Sequence, residues 1–341
     1  MIDKNSRIYV AGHRGFIGSA VVRQFRSAGF QNLCLPAAGQ LDLRSSPQVN
    51  AFFERTRPEV VVMCASVGSR SDRSAGGLED DFSGNYAMGD HVIEAADFFE
   101  VKRMIYVANF EFPQRVRPAT FDEARVVEWF STRSVQRAEG AKVLCAQLLE
   151  ALHLQHGSPF VSVFPCQLYG SRARYSFETR SELSVLLWKL HRAALLGENQ
   201  VRCPEDGYGV REMLHVDDFA RAILFLLHED VGDPMINIGS GQMVGFDLIV
   251  RELCEVVGYR GSVRQVSGTR SRTRQPRLDS SKIHRLGWYP QISLRTGLTR
   301  LYRELGQRLG EGGGSDWVPS WRKKGQPEGP RTDRGREWKR L

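Results

Sequence analysis

A glycine-rich turn between an apolar run and an amphipathic segment most constrains the fold of this 341-residue chain. Residues 7–11 ("RIYVA") are apolar enough for a short strand, and "GHRGFIG" follows with Gly12, Gly15 and Gly18. Helical periodicity begins there and continues through "SAVVRQF". Glycine permits the tight turn and a close backbone approach to a pyrophosphate, while the helix amino terminus offers free N–H donors. The segment therefore predicts a dinucleotide-binding turn.

Four further short runs of β-type residues follow, at 32–36, 59–65, 103–109 and 160–165. Segments with helical periodicity separate them. Strands that alternate with helices in this way predict the α/β class with a doubly wound parallel sheet.

The pattern becomes less regular after "QLYG" at 167–170. We predict a dinucleotide-binding domain over 1–170, with returning segments near 215–242. Residues 171–214 and 243–309 are predicted to form a smaller substrate-binding lobe. Residues 310–341, rich in Gly, Pro and charge, are predicted to be a flexible basic tail.

The net charge of +8 belongs mainly to that tail. Residues 321–341 hold eight Lys and Arg against three Asp and Glu, which accounts for five of the eight positive charges. We therefore do not expect nucleic acid as a partner. The tail either is solvated or contacts an acidic partner.

Cysteine spacing and hydropathy argue against a metal site and a membrane span. The six cysteines contain no C-x-x-C pair, so no metal ligand set is predicted. No window reaches the roughly 18 consecutive apolar residues of a membrane span, and the first residues lack the pattern of a signal peptide. We expect a cytoplasmic protein.

Four segments together carry a resemblance to a known family: "AGHRGFIGSAVVRQF", "VREMLHVDDFARAI", "INIGSGQ" and "LDSSKIHRLGWYPQISLRTGL". They resemble the extended short-chain dehydrogenases/reductases, and within them the GDP-L-fucose synthase group, over residues 6–305. The resemblance implies a Rossmann-like fold and a GDP-linked sugar as ligand. Members of that group epimerise a 4-keto sugar at C3 and C5 and then reduce C4 with NADPH. A homodimer is the assembly we expect.

The resemblance also implies roles for individual residues. The pyrophosphate of NADP or NAD would lie on Gly12, Gly15 and Gly18, with Arg14 near a phosphate, Asp42 at the adenine and Lys142 at the ribose. Arg211 and Arg277 would bind the nucleotide sugar, because a forked, permanent cation suits a diphosphate.

The residues after the second strand leave the choice between NADP and NAD open. Family members carry arginine there for the 2′-phosphate or an acidic residue for the ribose hydroxyl. This chain has Pro36, Ala37 and Ala38, which supply neither charge. We expect cofactor binding to be weak.

The family's Tyr-x-x-x-Lys pair is incomplete. A spacing of four places both residues on one helix face, where the tyrosine transfers the proton. Alignment on "LYG" places Ala138 at the tyrosine and Lys142 at the lysine. None of the nine tyrosines has a lysine four residues later, so no other alignment restores the pair.

Other catalytic positions have changed as well. Asn109 and Glu111 stand nearest the family's Ser-x-Cys, and Glu182 stands at its histidine. One hypothesis is a homologue without standard reductase activity, in a binding, regulatory or assembly role. The alternative is a retooled nucleotide-sugar epimerase that uses Glu111, Glu182 and Lys142 as acid/base groups.

Overall fold

The structure, a computed structural model, describes residues 2–67, 78–110, 119–133, 138–170, 182–204, 209–266 and 275–311. The strands are β1 (Ile8–Ala11), β2 (Leu33–Cys34), β3 (Val60–Met63), β4 (Arg103–Val107), β5 (Thr120–Phe121), β6 (Phe160–Pro165), β7 (Gln167–Tyr169), β8 (Gln200–Pro204), β9 (Arg211–His215), β10 (Met235–Ile238), β11 (Met243–Val244), β12 (Ser262–Val266) and β13 (Arg277–Leu278). The helices are α1 (Phe16–Ser27), α2 (Ser46–Thr56), α3 (Leu78–Phe98), α4 (Glu123–Arg133), α5 (Ala138–His156), α6 (Glu182–Leu196), α7 (Val216–His228), α8 (Phe246–Val257), α9 (Ser281–Arg285) and α10 (Leu294–Glu311). The predicted flexible tail lies almost wholly outside the described residues.

A six-stranded parallel sheet in the order β10-β6-β4-β3-β1-β2 organises the first part of the chain. Every residue of β1 and β3 is buried, because helices cover both faces of such a sheet. The strand order reverses between β1 and β3, and parallel α/β sheets bind ligands beside the carboxyl ends at such a point. The predicted doubly wound α/β fold is confirmed.

The chain divides into two compact units. The first contains Met1–Tyr169, Arg211–Met243 and Gln275–Ile292. It holds the six-stranded sheet, the parallel pair β7 and β9 and the parallel pair β5 and β13. Helix α1 packs on α7, and α3 packs on α5.

The second unit contains Gly170–Val210, Val244–Arg274 and Ser293–Leu341. Its strands β8 and β12 pair in parallel, and α8 packs against both α6 and α10. A hydrogen bond of 3.0 Å joins His191 Nδ1 to the Tyr302 hydroxyl. Arg295 forms ion pairs with Glu252 and Glu255.

No helix within the described ranges is both long and apolar enough to cross a bilayer.

The buried carboxylate of Glu212 in β9 forms hydrogen bonds with two segments of the first unit that are distant from it in sequence. Its Oε1 accepts a hydrogen bond from the Gly241 N–H at 2.7 Å, and its Oε2 accepts one from the Leu278 N–H at 2.8 Å. Burial raises the pKa of this carboxyl group, while the N–H donors of Leu278 and Gly241 oppose the shift. Both oxygens therefore act as acceptors that no neutral side chain of the same shape can supply.

We predict that Glu212→Gln lowers the free energy of unfolding by about 1–3 kcal/mol. The amide would turn an N–H₂ group toward one of the two backbone N–H donors and leave that donor unsatisfied. Urea denaturation measures the change, with Glu54→Gln on the exposed side of α2 as the control. The control should change stability by less than about 0.5 kcal/mol. Equal midpoints for the two variants would contradict the acceptor role of Glu212.

Candidate nucleotide site

The glycine turn after β1 is packed too closely for side chains. Gly12 has φ +73°, and a Cβ there would lie 2.7 Å from Ala65 Cα. A Cβ on Gly18 would lie 2.3 Å from the Gly12 carbonyl oxygen. Gly15 is less confined, with 3.2 Å to the same oxygen. Glycine is therefore required at Gly12 and Gly18 by conformation and contact.

The amino end of α1 suits an anion. Gly15 is the N-cap in extended conformation, without a side-chain capping bond, and the first turn of α1 carries no acidic residue. The free N–H groups and the helix dipole there favour a phosphate. Arg14 is exposed immediately before this cap. The predicted pyrophosphate residues are thus gathered into one turn beside the reversal of strand order.

The predicted adenine residue, Asp42, is paired within its own loop. Both its oxygens accept hydrogen bonds from the Arg44 guanidinium, at 3.0 and 2.9 Å. This pairing lowers the pKa of Asp42. Ala37 and Ala38 are exposed after β2, and the Ala37 N–H donates to Gln40 Oε1 at 2.9 Å. The loop thus holds Asp42 charged and paired.

Lys142 reaches the carboxyl end of β4 from the first turns of α5. Its ammonium donates to the Asn109 main-chain carbonyl at 2.8 Å. Burial lowers the pKa of Lys142, and Glu139, close by on the same helix, opposes the shift. Ala138 begins α5 one turn before Lys142. A methyl group therefore stands where the Tyr-x-x-x-Lys pattern has a phenol.

The two predicted nucleotide-sugar arginines differ in exposure. Arg211 is 7% exposed in β9, and its Nη1 donates to Gln167 Oε1 at 3.2 Å. Arg277 is exposed in β13, next to the Leu278 N–H that bonds Glu212. Both residues therefore flank the same hydrogen-bonded junction of β9 and β13. Sequence reasoning missed Gln167, because a partner 44 residues away leaves no local pattern.

The structure does not describe the side chains of the two glutamates predicted as acid/base groups. Glu111 lies outside the described residues. Glu182 is the first residue of α6, in the second unit, and its side chain is not described. Within the described ranges, no group of three or more His, Cys, Asp and Glu could hold a metal ion.

Comparison with known proteins places this geometry in a family. Residues 8–239 match the model of the NAD dependent epimerase/dehydratase family. GDP-L-fucose synthase 1 of Arabidopsis thaliana is 33% identical over 312 residues, which cover 89% of this chain and 94% of that protein. GDP-L-fucose synthase of Escherichia coli is 29% identical, over 87% of this chain and 95% of that protein.

A solved structure agrees with these sequence matches. GDP-mannoheptose C4 reductase from Campylobacter jejuni, with NADP bound, superposes with a TM-score of 0.77 at 26% identity. The match covers 90% of this chain and all of that one. The chain therefore belongs to the NAD dependent epimerase/dehydratase family, among relatives of the GDP-L-fucose synthase and GDP-sugar reductase type.

Proposed function

We propose that this protein binds a GDP-linked sugar and a nicotinamide dinucleotide but lacks the standard reductase activity of its relatives. The observation that carries the proposal is the pair Ala138 and Lys142 on α5. The lysine keeps a contact at the carboxyl end of β4, while the residue one turn earlier has no hydroxyl. A binding, regulatory or assembly role follows.

The residues present fit the dinucleotide. The turn at Gly12, Gly15 and Gly18 leaves no room for a Cβ at two of its positions and presents a helix amino terminus to a pyrophosphate. Arg14 would contact a phosphate, Lys142 the ribose and Asp42 the adenine. When bound, the nicotinamide supplies or accepts a hydride.

The choice between NADP and NAD depends on the loop after β2. Pro36, Ala37 and Ala38 offer no charge to either form of the adenosine ribose. Arg44 is held by Asp42, so a 2′-phosphate would have to compete with a bidentate ion pair. We propose weak binding that discriminates little between the two cofactors.

Arg211 and Arg277 are the proposed anchors of the sugar nucleotide. Guanidinium groups bind diphosphate oxygens through two parallel hydrogen bonds. Arg211 is already desolvated, so its bond to Gln167 holds a charge-assisted donor in a low-dielectric setting.

Loss of the proton donor is the chemical basis of the proposal. A positioned general acid typically contributes a factor of about 10²–10⁴ in rate. A main-chain carbonyl, the present partner of Lys142, accepts hydrogen bonds but cannot deliver a proton to a sugar oxygen.

The second candidate is a retooled epimerase that uses Glu111, Glu182 and Lys142. The position of Lys142 favours it: this residue lies at the carboxyl end of β4, and burial there lowers the pKa of its ammonium group. Exchange of solvent deuterium into C3 or C5 of a bound keto sugar would identify this activity. Glu111→Gln and Glu182→Gln should then abolish the exchange.

We further propose a homodimer in the cytoplasm, with the basic segment at 321–341 in contact with an acidic partner. Eight Lys and Arg against three Asp and Glu in that segment support the last of these proposals.

The reductase proposal is tested with GDP-4-keto-6-deoxymannose and NADPH. The purified protein should give thermal shifts with GDP and with NADPH at millimolar concentration but no NADPH oxidation above background. Ala138→Tyr alone should stay at least about 100-fold below the rate of the Escherichia coli relative, because other catalytic positions have also changed. Ala151→Tyr, on the same helix, is the control. Native-like turnover by the unmodified protein would overturn the proposal.

Arg211→Gln should weaken GDP binding by about tenfold or more. The variant loses a permanent cation, and about 1.4 kcal/mol corresponds to a factor of ten in the dissociation constant. Isothermal titration calorimetry measures the change, with Arg26→Gln in the last turn of α1 as the exposed control. Unchanged GDP affinity in a folded Arg211→Gln variant would remove Arg211 from the site.

A further inference from the structure

The loop after β3, residues 64–67, forms one wall of the glycine turn. The Cys64 N–H donates to the Ala11 carbonyl at 3.0 Å, which continues the alignment of β1 with β3. A Cβ on Gly12 would lie 2.7 Å from both the N and the Cα of Ala65. The Ala65 backbone therefore packs against Gly12 in the space that a side chain at position 12 would need.

Asn85 of α3 holds the far end of that loop. Its Oδ1 accepts hydrogen bonds from the Ser66 hydroxyl at 2.9 Å and from the Val67 N–H at 3.2 Å. Its Nδ2 donates to the Val67 carbonyl at 2.8 Å. The residue is only 3% exposed, so water cannot readily replace these bonds.

The side-chain amide of Asn85 is chemically suited to hold the loop at Val67. One planar group acts as acceptor and donor for the two polar backbone groups of Val67. The adjacent Gly84 allows α3 to approach, because a Cβ there would lie 3.0 Å from Val67 Cγ2. An apolar residue at position 85 would leave both Val67 groups without these partners in a half-buried setting.

We propose that Asn85 is a positioning residue for the dinucleotide pyrophosphate. It acts through Val67 and Ala65 to fix the conformation of the Gly12 turn, and it touches no ligand itself. The inference rests on the proposed function in one respect, that the glycine turn binds NADP. Preorganisation of the turn then determines affinity, because a loop that must be ordered on binding weakens the complex.

The test compares Asn85→Leu with Asn50→Leu in the full-length chain. Asn50 is exposed on α2, and its amide lies 3.4 Å from Ser46 Oγ. The same substitution there therefore leaves residues 64–67 and the Gly12 turn undisturbed. Isothermal titration calorimetry with NADP⁺, well below the unfolding temperature, should give an approximately tenfold higher dissociation constant for Asn85→Leu. Asn50→Leu should bind within twofold of the unmodified protein.

Hydrogen exchange separates positioning from general destabilisation. In Asn85→Leu, amide exchange should accelerate at residues 11–15 and 64–67, while β6 at 160–165 keeps its protection. Asn85→Ser, whose shorter side chain cannot reach both Ser66 and Val67, serves if the leucine variant fails to fold. Uniform acceleration across β6, or NADP⁺ affinity within twofold of the unmodified protein, would overturn the inference.

The two proposals fail in different ways. If the unmodified protein does not bind NADP⁺, the proposed cofactor site is wrong. The exchange pattern at residues 11–15 then still decides whether Asn85 fixes the turn.

Discussion

The contact between the Gly12 turn and the end of β3 is the constraint on which the candidate site depends. β1 and β3 end in register, Ala11 beside Met63, at the point where the strand order reverses. Just beyond these strand ends, Gly12 and Ala65 have no space for a side chain between them. This junction orients the following helix α1 so that its amino terminus lies beside the carboxyl ends of β1 and β3. The suitability of that terminus for an anion is thus a consequence of strand order and glycine placement.

Buried carboxylates make the second set of long-range connections. Glu212 bonds segments near residues 241 and 278, and Asp218 accepts hydrogen bonds from the N–H groups of Gln291 and Ile292 at 3.0 and 2.8 Å. Glu123 accepts a bond from the Asn237 N–H at 2.9 Å. These carboxylate oxygens satisfy backbone donors, of which the N–H groups of Leu278 and Asn237 are buried. Residues 275–292 are therefore tied to the first unit by polar contacts, although they follow a segment of the second unit in the chain.

The sequence predicted those parts of the fold whose signal is local. The runs at 7–11, 59–65, 103–109 and 160–165 are continuous and apolar because both faces of their strands are buried, and each contains a strand of the sheet. The strand β10 was not predicted, although it is as long as β1 and β3. Asn85 and Gln167 were also missed, because their partners lie 18 or more residues away and follow no spacing rule. The glycine turn was predictable because its glycines and the start of its helix all lie within seven residues.

Lys142 illustrates how a contact to the backbone can be kept on this fold when the neighbouring side chains change. Its ammonium bonds the main-chain oxygen of Asn109, an atom that any residue at that position provides. Substitutions at the catalytic side chains near β4 therefore leave this contact intact. Such substitutions also leave the glycine turn intact, because it presents backbone N–H groups rather than side chains. Proton transfer, in contrast, needs a particular titratable group at one position, and Ala138 at the start of α5 supplies none. Features of the site that are built from backbone are thus less sensitive to substitution than features that depend on one side chain.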